Sequence, residues 1–146
     1  MDIRLMNIND YDNIYKIWID TSGMGLNNLD DSREGIEKFL SRNPRTCFVA
    51  EDNGNLIGII MSGNDGRRGF IYHTAVLQKE RKKGVGTALV NASLDALKGE
   101  GINKVALVVF SENHIGNKFW ECQEFIQRND LIYRNKALVN SLRIDT

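Results

Sequence analysis

Between Thr74 and Ala88 the chain reads Thr-Ala-Val-Leu-Gln-Lys-Glu-Arg-Lys-Lys-Gly-Val-Gly-Thr-Ala, and this stretch constrains the fold more than any other. The apolar run from Gly69 to Leu77 that enters it has β character, and Gly84 and Gly86 open an amphipathic helical pattern that lasts to Gly99. The predicted unit is strand, turn, helix. Glycines without a Cβ let a ligand approach the backbone, and the first N–H groups of a helix have no partner inside it. With Arg81, Lys82 and Lys83 beside them, these donors predict a site for phosphate or pyrophosphate held mainly by backbone.

Spacing narrows the choice of motif. A Walker A loop ends in Gly-Lys-Ser/Thr, whereas here the glycines follow the lysines. A dinucleotide fingerprint needs Gly-x-Gly-x-x-Gly near the start of a βαβ unit. Gly84-Val85-Gly86-Thr87-Ala88-Leu89 lacks the third glycine and lies past mid-chain. What remains is Arg81-x-x-Gly84-x-Gly86.

With 146 residues and 42% hydrophobic content, one core is the expectation, a single domain over residues 1–146. Lys+Arg and Asp+Glu are both 19, so no broad basic surface for nucleic acid is implied. The local basic cluster suits one small anion. The N-terminus has no basic region leading into an apolar one, and no run approaches membrane-spanning length, which predicts a soluble cytoplasmic protein. Cys47 and Cys122 lie far apart and outside any Cys-x-x-Cys pair, so no disulfide and no metal site is expected and both read as packing residues.

In chain order, Ile3 to Met6 alternates as a first strand, and Asn9-Asp10 offers an N-cap for a helix carrying Tyr11, Ile14, Tyr15, Ile17 and Trp18. A long loop, Thr21 to Asp30, follows. Asp31 with Glu34 reads as a capping box for a second helix, stopped by Asn43-Pro44. Thr46–Ala50 and Leu56–Ile60 should pair as a hairpin across Asp52-Asn53-Gly54-Asn55, and a second turn at residues 64–69 returns the chain into Phe70–Val76. After the Gly loop, Val85, Ala88, Leu89, Ala92, Ala96 and Leu97 form a helical stripe ending at Lys98-Gly99. Ile102–Phe110 reads as a strand covered on both faces, Ser111–Cys122 as a short helix with Ile115 and Phe119 inward, and Phe125-Ile126 with Leu131-Ile132-Tyr133 as a last hairpin.

The Arg81-x-x-Gly84-x-Gly86 loop resembles the pyrophosphate loop of the GNAT superfamily of acyl-CoA-dependent N-acetyltransferases, and the element order over nearly the whole chain is similar to that fold. A second motif supports the resemblance: members carry Asn, then Tyr seven residues on and Phe five further, as in Asn…Tyr-Glu-x-x-Gly-Phe. Here that spacing gives Asn113, Trp120, Glu121 and Phe125. The resemblance implies an α/β (α+β) fold with a mixed, mostly antiparallel sheet of about six to seven strands and helices on both faces. It also implies acetyl transfer from acetyl-CoA to a primary amine, small or protein-borne, by direct attack in a ternary complex. Arg81, Lys82, Lys83, Gly84, Val85, Gly86 and Thr87 would hold the CoA pyrophosphate, backbone of Thr74, Ala75 and Val76 the pantetheine arm, and Asn113 its amide. The Thr74 N–H would face the thioester oxygen. Relatives often pair through sheet edges, so a homodimer is a further expectation.

This chain departs from the pattern at the acid–base positions. Trp120 stands where many members place the Tyr that protonates the leaving thiolate, Glu124 replaces a Gly, and the positions of two general-base Glu residues hold Phe70 and Val108. An indole N–H donates a hydrogen bond but does not usefully ionise. Thiolate, with a pKa of about 8.5, can leave unprotonated, so these gaps do not by themselves imply an inactive protein. They do define the alternative, a non-catalytic acyl-CoA-binding sensor. Tyr72 and His73 alternate on the strand that should line the thioester site, so only one would face substrate. Tyr72, sharing a face with Phe70 and Thr74, is the first candidate to relay a proton through water. Asp30 and Asp31 could attract a cationic amine, and Trp18 reads as core.

Overall fold

In a computed structural model that describes residues 1–145, the apolar runs form β1 (Asp2–Leu5), β2 (Phe48–Asp52), β3 (Asn55–Asn64), β4 (Gly69–Val76) and β5 (Val105–Ala106). They make one sheet in that order, antiparallel from β1 to β4 and parallel between β4 and β5. The helices are α1 (Tyr11–Ile19), α2 (Arg33–Arg42), α3 (Val85–Gly99) and α4 (His114–Cys122). The β2–β3 turn forms at Asn53-Gly54 as its residues require, with both at positive φ, 52° and 79°. In the next turn the Asp65 carboxylate accepts from the N–H groups of Arg67 and Arg68.

Strand alternation divides the core. Val49, Ile59 and Met61 face α1 and α2, where they meet Ile14, Ile17, Trp18 and Ile36, while Ala50, Ile60 and Ile71 face Val85, Leu89 and Val90 of α3. Helices therefore cover both faces, as expected. The α3 stripe is rotated slightly: Ser93 is fully buried and donates to Ser62 Oγ at 2.7 Å, pinning α3 to β3. The start of α1 also differs. Asn7 caps a 3-10 turn at Ile8–Asp10, and the buried Asp10 carboxylate takes two hydrogen bonds from Arg4.

Five strands among the described residues, rather than six to seven, correct the expected count. The missing pair is the last hairpin. Helix α4 ends in a Schellman motif, in which Phe125 N–H donates to Trp120 O and Glu124 N–H to Glu121 O, with the Phe125 ring 5.2 Å from Trp120. Phe125 is thus held back on the helix, leaving Ile126 alone to begin a strand. The chain beyond instead returns to the α1–α2 loop, where Ile144 N–H donates to Leu26 O and the Asp145 carboxylate accepts from Gly25 and Leu26. Only Val105 and Ala106 of the expected strand pair with β4, and Val108 and Phe110 are exposed, so that segment is covered on one face rather than two. Ile115 lies outward, because Asn113 caps α4 and sets the first turn's phase. Cys47 is buried, its thiol pushed up to about 12 by that burial, whereas Cys122 is exposed and is not a packing residue.

The Schellman motif explains the motif's glycine. Its αL position is Glu124, with φ 66°, a conformation that costs a side chain roughly 1 kcal/mol or more. Glu124→Gly is expected to raise unfolding free energy by about 1 kcal/mol, read as an increased urea midpoint at unchanged slope; an unchanged or lower midpoint would contradict this account of the helix end.

Candidate active site

The pairing of β4 with β5 lasts for two residue pairs, Gly69 with Val105 and Phe70 with Ala106, and then the strands part. Along its other edge β4 stays paired to β3 as far as Val76. One edge of β4 is thereby left open along a cleft of about 2290 Å3, well above the roughly 300–1,000 Å3 of a single-ligand pocket. The cleft is walled by the α1–α2 loop, β4, the Gly loop, residues 107–111 and α4, and the 133–141 segment reaches its rim.

At one end lies the N-terminus of α3. Its first intrahelical bond is Ala88 N–H to Gly84 O, 3.0 Å, and Gly84 at the N-cap has no side chain to offer, so the N–H groups of Val85, Gly86 and Thr87 point out of the helix. Lys82 and Gly84 both take positive φ, 64° and 84°, which turns successive amides toward a common concavity. Arg81 is held by its Nε donating to Val76 O, and Lys83 pairs with Glu80 at 3.2 Å. A Cβ on Gly84 would meet nothing within 4 Å, whereas one on Gly86 would lie 2.9 Å from the Phe119 ring, so Gly84 leaves open space and Gly86 permits α3 to touch α4.

At the other end β4 carries a bulge. Ile59 pairs with Ala75 and Met61 with Tyr72, so His73 and Thr74 together oppose Ile60 and neither has a β3 partner. His73 has φ 31°, a strained value for a side-chain-bearing residue, of order 1 kcal/mol or more. Trp18 offsets that strain by donating its Nε1–H to His73 O at 3.2 Å. The bulge overturns the simple alternation expected for Tyr72 and His73, since both line the cleft. Tyr72 packs on Phe39 and Phe70, and its hydroxyl is held above the usual tyrosine range by burial and by the neighbouring Tyr133 and Asp30. The hydroxyl therefore stays protonated and offers a hydrogen bond rather than a base. Thr74 also lines the cleft, its hydroxyl donating to Tyr72 O at 3.3 Å.

Asp31 is the residue whose role the sequence concealed. Ser32, not Asp31, caps α2, its Oγ accepting from Gly35 N–H at 3.0 Å. Asp31 is buried at 3% exposure, with Oδ1 2.7 Å from His73 Nε2 and Oδ2 accepting from Asn27 N–H at 2.8 Å. The available signal was Ser32 itself, a cap one position on that frees the aspartate. On α4, Asn113 uses its amide oxygen to accept from Gly116 N–H, and Trp120 stands between Phe119 and Phe125, both Asn113 and Trp120 facing the cleft. Ala75 and Val76 complete the open edge, while Phe70 and Val108 line the cleft as apolar side chains, so neither base position supplies a carboxylate.

Comparison with known proteins gives a consistent result. The profile of the acetyltransferase (GNAT) family matches residues 11–125. An acetyltransferase of Pectobacterium atrosepticum is 30% identical over 139 residues, 95% of this chain and 96% of its own length. Among solved structures, Ard1 from Thermoplasma volcanium is similar with a TM-score of 0.77 at 22% identity, over 86% of this chain and 82% of its own. The diaminobutyrate acetyltransferase of Paenibacillus lautus, in complex with L-2,4-diaminobutyric acid and coenzyme A, gives 0.70 at 20% identity, over 84% and 73%.

The Gly84 geometry separates two effects of one substitution. Gly84→Ala is expected to cost about 1 kcal/mol in urea unfolding, from φ alone, and to weaken CoA binding by about tenfold in calorimetry, from the Cβ placed in open space at the helix end. Unchanged CoA affinity would contradict an anion site there.

Proposed function

Because the chain belongs to the GNAT family of acetyltransferases, we propose that it transfers the acetyl group of acetyl-CoA to a primary amine by direct attack in a ternary complex. The observation that carries this reading is the cleft itself, which joins an outward-facing helix N-terminus to an unpaired strand edge with a bulge. The outward N–H groups of α3, with Arg81 to Thr87 around them, take the pyrophosphate. The open edge of β4 at Thr74, Ala75 and Val76 pairs with the pantetheine amides as a further strand would, and Asn113 contacts one of those amides. The thioester then reaches the bulge. There the Thr74 N–H stabilises the developing oxyanion, and Trp120 offers its indole N–H near the departing sulfur.

On the acceptor side, Tyr72 keeps its hydroxyl protonated, its phenolate disfavoured by burial and by Tyr133 and Asp30, and orients the amine or a water beside it. Asp30, on the cleft wall, favours a cationic acceptor. Most of an alkylamine of pKa about 10.4 is protonated at neutral pH, so removing one proton is a real part of the barrier. Proximity and the oxyanion donor supply the rest.

The absence of carboxylates at residues 70 and 108 favours one rival, an acyl-CoA-binding sensor. Free-thiol release from acetyl-CoA, followed with a panel of amines, separates the two. Amine-dependent release with intersecting double-reciprocal lines is expected. CoA binding without any amine-dependent release would put the sensor reading in its place.

A further inference from the structure

We infer that Asp31 and His73 act as a dyad in which Asp31, a positioning residue, holds His73 as the proton acceptor for the incoming amine. This rests on the acyl-transfer reading above. The two residues come from different elements, the α1–α2 loop and the β4 bulge, and meet at 2.7 Å between Oδ1 and Nε2. Each is fixed by other bonds. Asp31 Oδ2 accepts from Asn27 N–H, Tyr11 Oη donates to Asp31 O at 2.8 Å, and Trp18 Nε1 donates to His73 O while its ring meets the imidazole edge at 5.2 Å between centroids. An aspartate with both oxygens accepting assigns the hydrogen of His73 to Nε2. Nδ1 is then the basic nitrogen. No described residue hydrogen-bonds it, and no buried side-chain nitrogen or oxygen among the described residues lacks a partner, so Nδ1 is open to the cleft that His73 lines.

The position suits the chemistry. His73 sits in the bulge beside Thr74, where the thioester carbonyl is proposed to lie, and the base positions at residues 70 and 108 are apolar. The amine arrives as an ammonium and gives one proton to Nδ1, and Asp31 stabilises the imidazolium so formed. The freed lone pair forms the N–C bond as the carbonyl π pair moves onto oxygen. Collapse re-forms the C=O bond and expels the C–S pair onto sulfur. The second N–H proton of the adduct passes through water to the thiolate, and His73 returns its proton to solvent. One amide, one free thiol and one proton result.

Asp31 and Tyr72 contact His73 directly; behind Asp31 stands Tyr11 on α1, itself near Tyr15, Asp12 and Glu34, and beyond Tyr72 stand Tyr133 and Asp30. The test is kcat against pH at saturating amine, with CoA affinity measured alongside for each variant. His73→Gln is expected to lower kcat by about 10²-fold or more and to replace the wild-type acidic limb with one that keeps rising toward the amine's own pKa of about 10.4. Asp31→Asn should lower kcat with His73 still in place, and Asp31→Glu should recover part of the loss, because the imidazolium formed in the step loses and then regains its counter-charge. Loss of kcat by the same factor at every pH in His73→Gln, with the wild-type limb left in place, marks a purely structural role and would overturn the dyad while leaving acyl transfer standing, as would an Asp31→Asn enzyme with unchanged kcat. No amine-dependent turnover in the wild type would overturn both. Nitrogen-edited NMR of the wild-type imidazole gives a readout independent of activity and of how the variants fold. The Nε2–H tautomer is expected, and the Nδ1–H tautomer would refute the assignment.

Discussion

Everything in the cleft depends on where β4 and β5 stop pairing. A parallel pair that zipped up to Val76 would satisfy the strand's polar groups internally and leave no room for a ligand. Separation after Phe70 leaves those groups needing a partner, along the floor of an open cleft. The β4 bulge falls inside the parted stretch, so the irregular backbone is also the accessible backbone. The N-terminus of α3 lies at the far end because the chain turns directly from β4 through the basic loop into that helix. One strand edge therefore fixes the distance between an outward-facing helix N-terminus and a bulge, which is the geometry the proposed phosphate-tailed thioester needs.

The strain at His73 belongs to the same arrangement. A histidine at φ 31° persists because neighbouring elements hold it: Trp18 from α1 takes its carbonyl, and Asp31 from the following loop takes its ring. That loop is in turn anchored by Asp145, whose carboxylate accepts from Gly25 and Leu26. This side of the cleft is thus held at both ends, by the bulge within the sheet and by the C-terminal segment returning across the loop.

Much of this was legible in the residues, and the limits are physical. The Asn53-Gly54 turn, the Gly loop and the stripe of α3 depend on local conformational preference and periodicity, which a sequence states directly. The bulge does not. Tyr72-His73-Thr74 reads as plain alternation, and only the pairing with β3 reveals that two residues oppose one. Asp31 was ambiguous for a related reason: a carboxylate before a helix is a good cap, and only the burial of that loop against β4 gives it a different partner. The last hairpin failed on competition, since the same Phe125 that could begin a strand also completes the Schellman contact with Trp120. The positive φ of Glu124 was foreshadowed by the glycine of the motif that this stretch resembles.

The most direct test of the account is a crystal structure with a non-reactive acetyl-CoA analogue. The account predicts pyrophosphate oxygens on the N–H groups of Val85, Gly86 and Thr87, pantetheine along the open edge of β4, and the acyl carbonyl at the His73–Thr74 bulge. An analogue bound with its pyrophosphate away from α3, or with its acyl group directed away from the bulge, would contradict it.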